Sequence, residues 1–248
     1  MKHGLNLRWR HLAAGLLLGW CWGLTHAQFI QAVTEATPYT YVSQGRVAGP
    51  ATEIVETALQ RAGLTDHRFH LYPWARAYDL ALKEPNVLIY LIARTPARES
   101  QFKWAGEFMK MEYHLYKLSD RTDIDVATLD DARRYTVGVI RDDLRHQYLQ
   151  SRQFQKLVVS AHNIDNFRKL LNRQIHLIPL PEVDAADLCR ETRFDCTRLQ
   201  RVLTLDELTT GLYMAYSHST PDAVVERTRA AFETLKAQGE VRKVMGNR

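Results

Sequence analysis

The chain has 248 residues, 25% of them charged, with 33 bases against 28 acids. That length suffices for one large domain or two small ones. The positive excess is concentrated at the start: without Lys2, Arg8 and Arg10, 30 bases face 28 acids, a net charge of +2 that implies no nucleic-acid partner.

Residues 1–27 read as a secretory signal. Met1 to His11 is basic, and Leu12 to Leu24 is apolar (LAAGLLLGWCWGL). Thr25-His26-Ala27 then places small residues where a signal peptidase reads, so cleavage is expected after Ala27 and the mature chain is expected in the periplasm. Thirteen apolar residues are too few to span a bilayer. Cys21 follows Trp20, unlike the cysteine of a lipoprotein signal. No second long apolar stretch follows, so the mature chain is not expected to span a membrane.

After Gln28 the pattern alternates strand and helix. FIQAV (29–33) reads as a strand and PATEIVETALQRAG (50–63) as a helix, with Ile54, Val55, Ala58 and Leu59 on one face and Gly63 ending it. RFHLYP (68–73) is a strand and Trp74 to Lys83 a helix. NVLIYLIA (86–93) is a continuous apolar run, as expected of a strand buried on both faces. A second series follows: strands at YTVGVI, KLVVSA and IHLIPL alternate with helices at DDLRHQYLQSR, IDNFRKLLNR and EVDAADLCRE. A strand at LYMAYS (212–217) and a long helix from Pro221 to Gly239 close the chain. This predicts two α/β units joined by the strand-like segment EYHLYKLSD (112–120).

Several positions sit where such units bind ligands. In ARTPARESQFKWAGEF (93–108), Thr95 is placed to cap a helix beginning at Pro96, directly after a buried parallel strand. Arg94 and Arg98 then either form an anion or carboxylate site at that helix start or are solvated or paired surface arginines. GVIRDD (138–143) repeats the arrangement with Arg141, and its two acids either serve a ligand or favour the helix dipole. Glu182, in LIPLPEV, is either a cleft acid or a first-turn helix acid.

In YPWARAYDLAL (72–82), Trp74, Ala77, Tyr78, Ala81 and Leu82 share one helix face. Trp74 is expected to face the core, with one edge on a ligand. Arg76 lies about 200° around, and either faces the cleft or pairs with Asp79.

The mature chain keeps Cys189 and Cys196, six residues apart between them. In an oxidising compartment a disulfide is the expected state, with two free thiols as the alternative. His67 and His70 fall on opposite faces of a strand, so no metal site is expected. No HExxH, GxSxG, Walker or dinucleotide-binding glycine pattern occurs, and no cofactor is expected.

The order of a signal segment, TEATPYTYVSQGRVAG, YPWARA, ARTPARESQFKWAGEF, YTVGVIRDD and YSHSTPDAVVERTRAAFETLKAQGEVRKVM resembles solute-binding protein family 3, the amino-acid-type binding components of ABC importers, and within it a subgroup with a Pro-Trp-x-Arg-Ala signature. The resemblance covers the mature chain. It implies a type II periplasmic binding protein fold: two α/β lobes joined by two crossover hinge strands, closing on a ligand. Lobe one would be 28–113 with 215–248, and lobe two 116–212. By the same resemblance Arg98 matches the carboxylate-binding arginine and Trp74 the residue that packs on ligand. Glu35 and Tyr39 lie in the first cleft loop, and Arg141 in the lobe-two loop. Pro181 and Glu182 stand where amino-acid binders usually offer an acid to the ligand ammonium, and YLIA replaces a serine-rich strand end.

The function implied is a non-enzymatic, monomeric binding protein that delivers a small polar, carboxylate-bearing ligand to an ABC importer permease. Two alternatives stand beside it: a periplasmic cyclohexadienyl-type dehydratase using Glu35 or Glu182 as its acid, and a binding protein feeding a signalling partner.

Overall fold

The structure is a computed structural model and describes Met1 and residues 29–246. Apart from Met1, the expected signal segment and its cleavage point therefore lie outside the described residues. In chain order the first group of elements is β1 (Ile30–Thr34), β2 (Tyr41–Ser43), β3 (Arg46–Ala48), α1 (Pro50–Arg61), β4 (His67–Leu71), α2 (Trp74–Lys83), β5 (Val87–Ala93) and β6 (Phe102–Met111). The second is β7 (His114–Leu118), α3 (Leu129–Ala132), β8 (Val137–Ile140), α4 (Leu144–Ser151), β9 (Leu157–Ser160), α5 (Asn163–Leu171), β10 (Ile178–Leu180), α6 (Glu182–Thr192) and β11 (Leu199–Thr204). The chain finishes with β12 (Thr210–Ser217), α7 (Asp222–Ala237) and α8 (Glu240–Met245).

These elements form two lobes. Lobe one is built on a five-stranded sheet in the order β4-β1-β5-β12-β6. Its β4, β1 and β5 are parallel, and β12 runs antiparallel to both β5 and β6. All seven residues of β5 are buried, as its unbroken apolar run requires of a central strand. Each such Leu or Ile contributes roughly 2 kcal/mol of hydrophobic stabilisation. Lobe two carries the three-stranded sheet β10-β7-β11 and the parallel pair β8-β9. A parallel bridge from Val137 to Leu177 ties that pair to the segment leading into β10.

The chain crosses between lobes twice, at Glu112–Tyr113 and between β11 and β12. The crossings touch: the Leu205 amide donates to the Tyr113 carbonyl at 2.8 Å. Thr210 already pairs with Met111 in the lobe-one sheet, so the return to lobe one is complete before the apolar stretch 212–217 begins.

Local chemistry explains the element ends. Helix α2 stops because Glu84 precedes Pro85, which drives the preceding residue to extended backbone; Glu84 has φ −95° and ψ 142°. Gly49, at φ +114°, lets the chain into α1 pass against the loop of Tyr39, where a Cβ would lie 2.4 Å from the Tyr39 carbonyl oxygen. Gly106 lets β6 receive the Phe232 ring of α7, which a Cβ would meet at 2.2 Å.

One expected element is corrected. No helix begins at Pro96: residues 96–101 form turns, with the Arg98 amide donating to the Thr95 carbonyl at 3.0 Å and the Gln101 amide to the Arg98 carbonyl at 3.0 Å. The strand β6 follows. Thr-Pro presets a turn as readily as a helix start, and the alternating apolar residues Phe102, Trp104, Gly106 and Phe108 favour pairing with β12.

Cys189 and Cys196 are joined as a disulfide. It ties the end of α6 to the turn before β11, with Cys189 buried in the lobe-two core. Closing a loop of this length is worth about 2.5 kcal/mol in the chain-entropy account.

Candidate functional site

The cleft between the lobes is assembled from strand ends and helix starts. Lobe one contributes Glu35 just after β1, Trp74 at the first turn of α2, Leu91 and Ala93 at the end of β5, and Arg98 from the turn that follows. Lobe two contributes Asp143, Leu144 and Arg145 at the start of α4, Asn163 at the start of α5, and Asp184 in the first turn of α6. Tyr113 enters from the crossing. Leu91 is set apart from its strand neighbours: Tyr213 pairs with Ile92 and Met214 with Tyr90, so Leu91 is skipped, with φ +60°. This bulge aims a side chain into the cleft from an otherwise buried strand.

Arg98 is 1% exposed. Its guanidinium lies 4.9 Å from the Tyr78 ring and 5.4 Å from the Trp74 ring. Nη1 donates to the Ala93 carbonyl at 3.3 Å. Nη2 reaches across the cleft to the Asp142 carbonyl at 3.5 Å and to Gln147 Oε1 at 3.1 Å. Nε is buried with no acceptor. Among the described residues, no carboxylate lies within ion-pair distance of Arg98, and burial pulls its pKa down. An arginine nonetheless stays charged. Arg98 is thus a desolvated cation held by neutral acceptors, with donor capacity unused.

Arg145 is also buried but fully engaged. Nε donates to Asp143 Oδ2 at 2.5 Å, and Nη1 to Asn163 Oδ1 and the Pro179 carbonyl, each at 3.1 Å. Asp143 also caps α4, accepting from the His146 amide at 2.8 Å. Around Arg145 stand two perturbed acids. Burial raises Glu35 to about 8, opposed by attraction to Arg145 and reinforced by Asp143 and Asp184. Burial likewise raises Asp184 to about 6, again opposed by Arg145. The Glu35 carboxyl therefore carries its proton near neutral pH.

Space in the cleft is divided. Beside Arg98, Trp74, Glu35 and Arg145 a cavity of about 40 Å³ remains. A neighbouring one of about 50 Å³ lies between Glu35, Tyr39, Tyr113 and Asp184. A larger one, about 260 Å³, opens between the loop 35–41 and the starts of α5 and α6.

Of the residues expected from sequence, the structure brings Glu35, Tyr39, Trp74 and Arg98 to these cavities. Arg94 lies apart: its Nε and Nη2 bond Glu99 at 2.8 and 2.6 Å, over the rings of Trp104 and Tyr213. Arg76 is exposed and stacks at 4.3 Å over Tyr72, while its expected partner Asp79 pairs instead with Lys83 at 2.6 Å. The i, i+4 partner on the exposed face outcompeted the i+3 one. Arg141 and Glu182 are exposed. Asp143 was one of the two acids open to a ligand or a helix-dipole role, and it caps α4; sequence did not single out Arg145, Asp184, Tyr113 or Gln147. The signal available was positional: Asp143 and Arg145 follow Arg141 by two and four residues, and Asp184 follows Glu182 by two, each within the first turn of a helix that starts at the cleft.

Trp74 is 4% exposed and packs with Val33, Ala77, Phe102 and Trp104. Its Nε1 donates across the cleft to the Asp142 carbonyl at 3.0 Å. Core and cleft roles therefore coincide in one ring. Trp74→Ala is expected to lower stability by about 3–5 kcal/mol, as for large aromatics removed from a core. Trp74→Phe keeps most of the burial and loses the hydrogen bond, for about 1 kcal/mol. Urea denaturation of the two variants measures the difference; equal small costs would mean that the ring is not part of the core.

No family model matches the chain, and no curated protein matches it. Solved structures do. A histidine kinase sensor domain with similarity to periplasmic binding proteins superposes with a TM-score of 0.78 at 20% identity, covering 88% of this chain and 95% of that one. The arginine-, lysine-, histidine-binding protein ArtJ from Geobacillus stearothermophilus gives 0.72 at 14% identity, covering 88% and 94%. The amino acid ABC transporter substrate-binding protein AbpA from Streptococcus pneumoniae, bound to L-arginine, gives 0.74 at 14% identity, covering 88% and 93%. At these identities the likeness shows the fold: two lobes of the periplasmic-binding-protein type with mixed α/β sheets. Among the described residues, no helix is long and apolar enough to cross a membrane.

Proposed function

We propose that this protein is a periplasmic solute-binding protein that captures a small, carboxylate-bearing ligand between its lobes. The observation that carries this reading is Arg98: a buried guanidinium in the cleft, without an ion-pair partner and with Nε unsatisfied. A buried cation in this condition is costly unless an anion completes it. A ligand carboxylate supplies two acceptor oxygens in the matching planar geometry. The aromatic rings of Trp74 and Tyr78 bracket the site, and hinge closure over the crossings at Glu112–Tyr113 and 205–209 excludes water.

Two partners suit such a protein. Delivery to an ABC importer permease is supported by fold neighbours described as transporter substrate-binding proteins. Supply of a signal to a sensor is supported by the histidine kinase sensor domain, whose fold overlays at a TM-score of 0.78. A calorimetric screen of the purified protein against amino acids, organic acids and oligopeptides, with X-ray scattering for compaction, tests the binding role. Absence of both heat and compaction throughout the screen would sink it.

Glu35 supports one enzymatic alternative. A cleft carboxyl that holds its proton near pH 7 meets the requirement for a general acid in a cyclohexadienyl-type dehydratase. Glu182, the other acid considered, is exposed. Turnover of prephenate or arogenate, lost in Glu35→Gln, would establish that reading; no turnover removes it.

A further inference from the structure

Three donors converge on one carbonyl of lobe two. The Asp142 oxygen accepts from Trp74 Nε1 at 3.0 Å, from Gln147 Nε2 at 3.2 Å and from Arg98 Nη2 at 3.5 Å. Asp142 can present it because its backbone is left-handed, at φ +59°, a region aspartate tolerates better than most residues. The Gln147 carboxamide completes the arrangement: its Nε2 steadies the Asp142 carbonyl while its Oε1 accepts from Arg98 at 3.1 Å. Gln147 and Asp142 together thus present two oxygens to the Arg98 guanidinium, the same number that a carboxylate presents.

The space beside Arg98 is small. About 40 Å³ remains there, room for roughly three water molecules at about 10–15 Å³ each. A ligand carboxylate that engages Nη2 of Arg98 must therefore displace the Gln147 and Asp142 oxygens.

We infer that Gln147, with the Asp142 carbonyl, is an internal competitor for the Arg98 site and sets the protein's affinity for its ligand. The inference rests on the reading of Arg98 as the anchor of a ligand carboxylate. Ligand and latch compete for one guanidinium, and the apparent dissociation constant rises with the population of the latched form. The ligand prevails because a carboxylate makes charge-assisted, bidentate bonds, whereas the latch offers neutral acceptors and leaves Nε unpaired. Gln147 sits on α4, half-buried, so it is removable without opening the core of lobe two.

Two substitutions with opposite expected signs test the proposal, on purified protein with circular dichroism to verify folding. Gln147→Ala breaks the latch: the protein alone should show a larger radius of gyration by X-ray scattering and altered emission from Trp74. Gln147→Glu places a carboxylate against Arg98: the protein alone should stay compact and melt at a higher temperature. L-arginine and succinate serve as carboxylate probes, one cationic and one anionic, by calorimetry. Relative to the parent, the probe that binds should bind about tenfold tighter to Gln147→Ala and at least about tenfold more weakly to Gln147→Glu. Unchanged scattering and emission in Gln147→Ala would overturn the latch. So would weaker probe binding to Gln147→Ala, which would make Gln147 a ligand contact. If neither probe binds any variant, the choice of ligand class fails, while scattering and emission of the protein alone still decide whether the lobes are latched.

Discussion

Arg98→Ala is expected to weaken ligand binding by at least about a hundredfold, the loss typical when one partner of a desolvated charge pair is truncated. Arg98 is 1% exposed and forms the cationic floor of the cleft between the Trp74 and Tyr78 rings. The folded protein should tolerate the change better than the complex does. What the free protein loses are bonds to neutral acceptors, Ala93, Asp142 and Gln147, and it sheds a buried cation that no carboxylate neutralises. Arg98→Lys keeps the charge but not the planar fork, so it should recover only part of the affinity. Calorimetry against whichever ligand emerges from the screen, beside a thermal melt, separates the two effects. An alanine variant with parental affinity would remove Arg98 from the site and with it the main support for the proposed function.

The second large effect concerns pH. Glu35 titrates at about 8 in the folded protein against 4.5 ordinarily, chiefly because burial penalises its charged form. Between those values the folded state holds a proton that the unfolded state has lost. Stability contributed by protonated Glu35 is therefore fully present below 4.5 and is lost progressively as pH rises toward 8. Asp184, raised from 3.8 to about 6 by burial, acts in the same direction over its own lower window.

Glu35→Gln cannot ionise. It should match the parent near pH 4.5 and exceed its stability by up to about 5 kcal/mol at pH 9. Urea denaturation at pH 4.5, 6, 8 and 9 gives the comparison. Parallel stability curves for the two proteins would mean that the Glu35 carboxyl is solvated, and that the cleft is more open than the contacts from Trp74 and Arg98 to lobe two imply.

Much of the fold is legible along the chain because its determinants are local. The burial of β5 follows from seven consecutive apolar residues. The face of α2 that carries Trp74, Ala77 and Ala81 follows from helical spacing, whereas spacing left Arg76 open between the cleft and Asp79, and the structure places it exposed over Tyr72. The paired cysteines needed only their proximity and an oxidising compartment. Where two local solutions compete, the sequence is silent. Thr95-Pro96 is as good a turn as a helix start, and the choice went to the arrangement that let β6 pair with β12, more than 90 residues further on.

The candidate site was legible in part. Spacing offered Arg98 as either an anion site or a surface arginine and gave Trp74 an edge toward ligand, while Glu35 and Tyr39 were placed in the cleft by the family resemblance alone. Two similar arginines, Arg94 and Arg98, could not be ranked from spacing, because the ranking depends on Glu99 folding back onto the first and on the Trp74 and Tyr78 rings enclosing the second. The charges surrounding Glu35 come from residues 143, 145 and 184, more than 100 positions away.

With the cleft loops implied only by the family resemblance, the sequence by itself determined the alternation of strands and helices and their grouping into two α/β units. Periodicity and end signals act over one or two turns of chain, and these features are of that range. Only the tertiary structure decided which arginine is buried without a counter-ion, which carboxyl keeps its proton, and that Gln147 meets Arg98. Burial and charge depend on what the two crossings bring together in space, and no local pattern along the chain encodes that meeting.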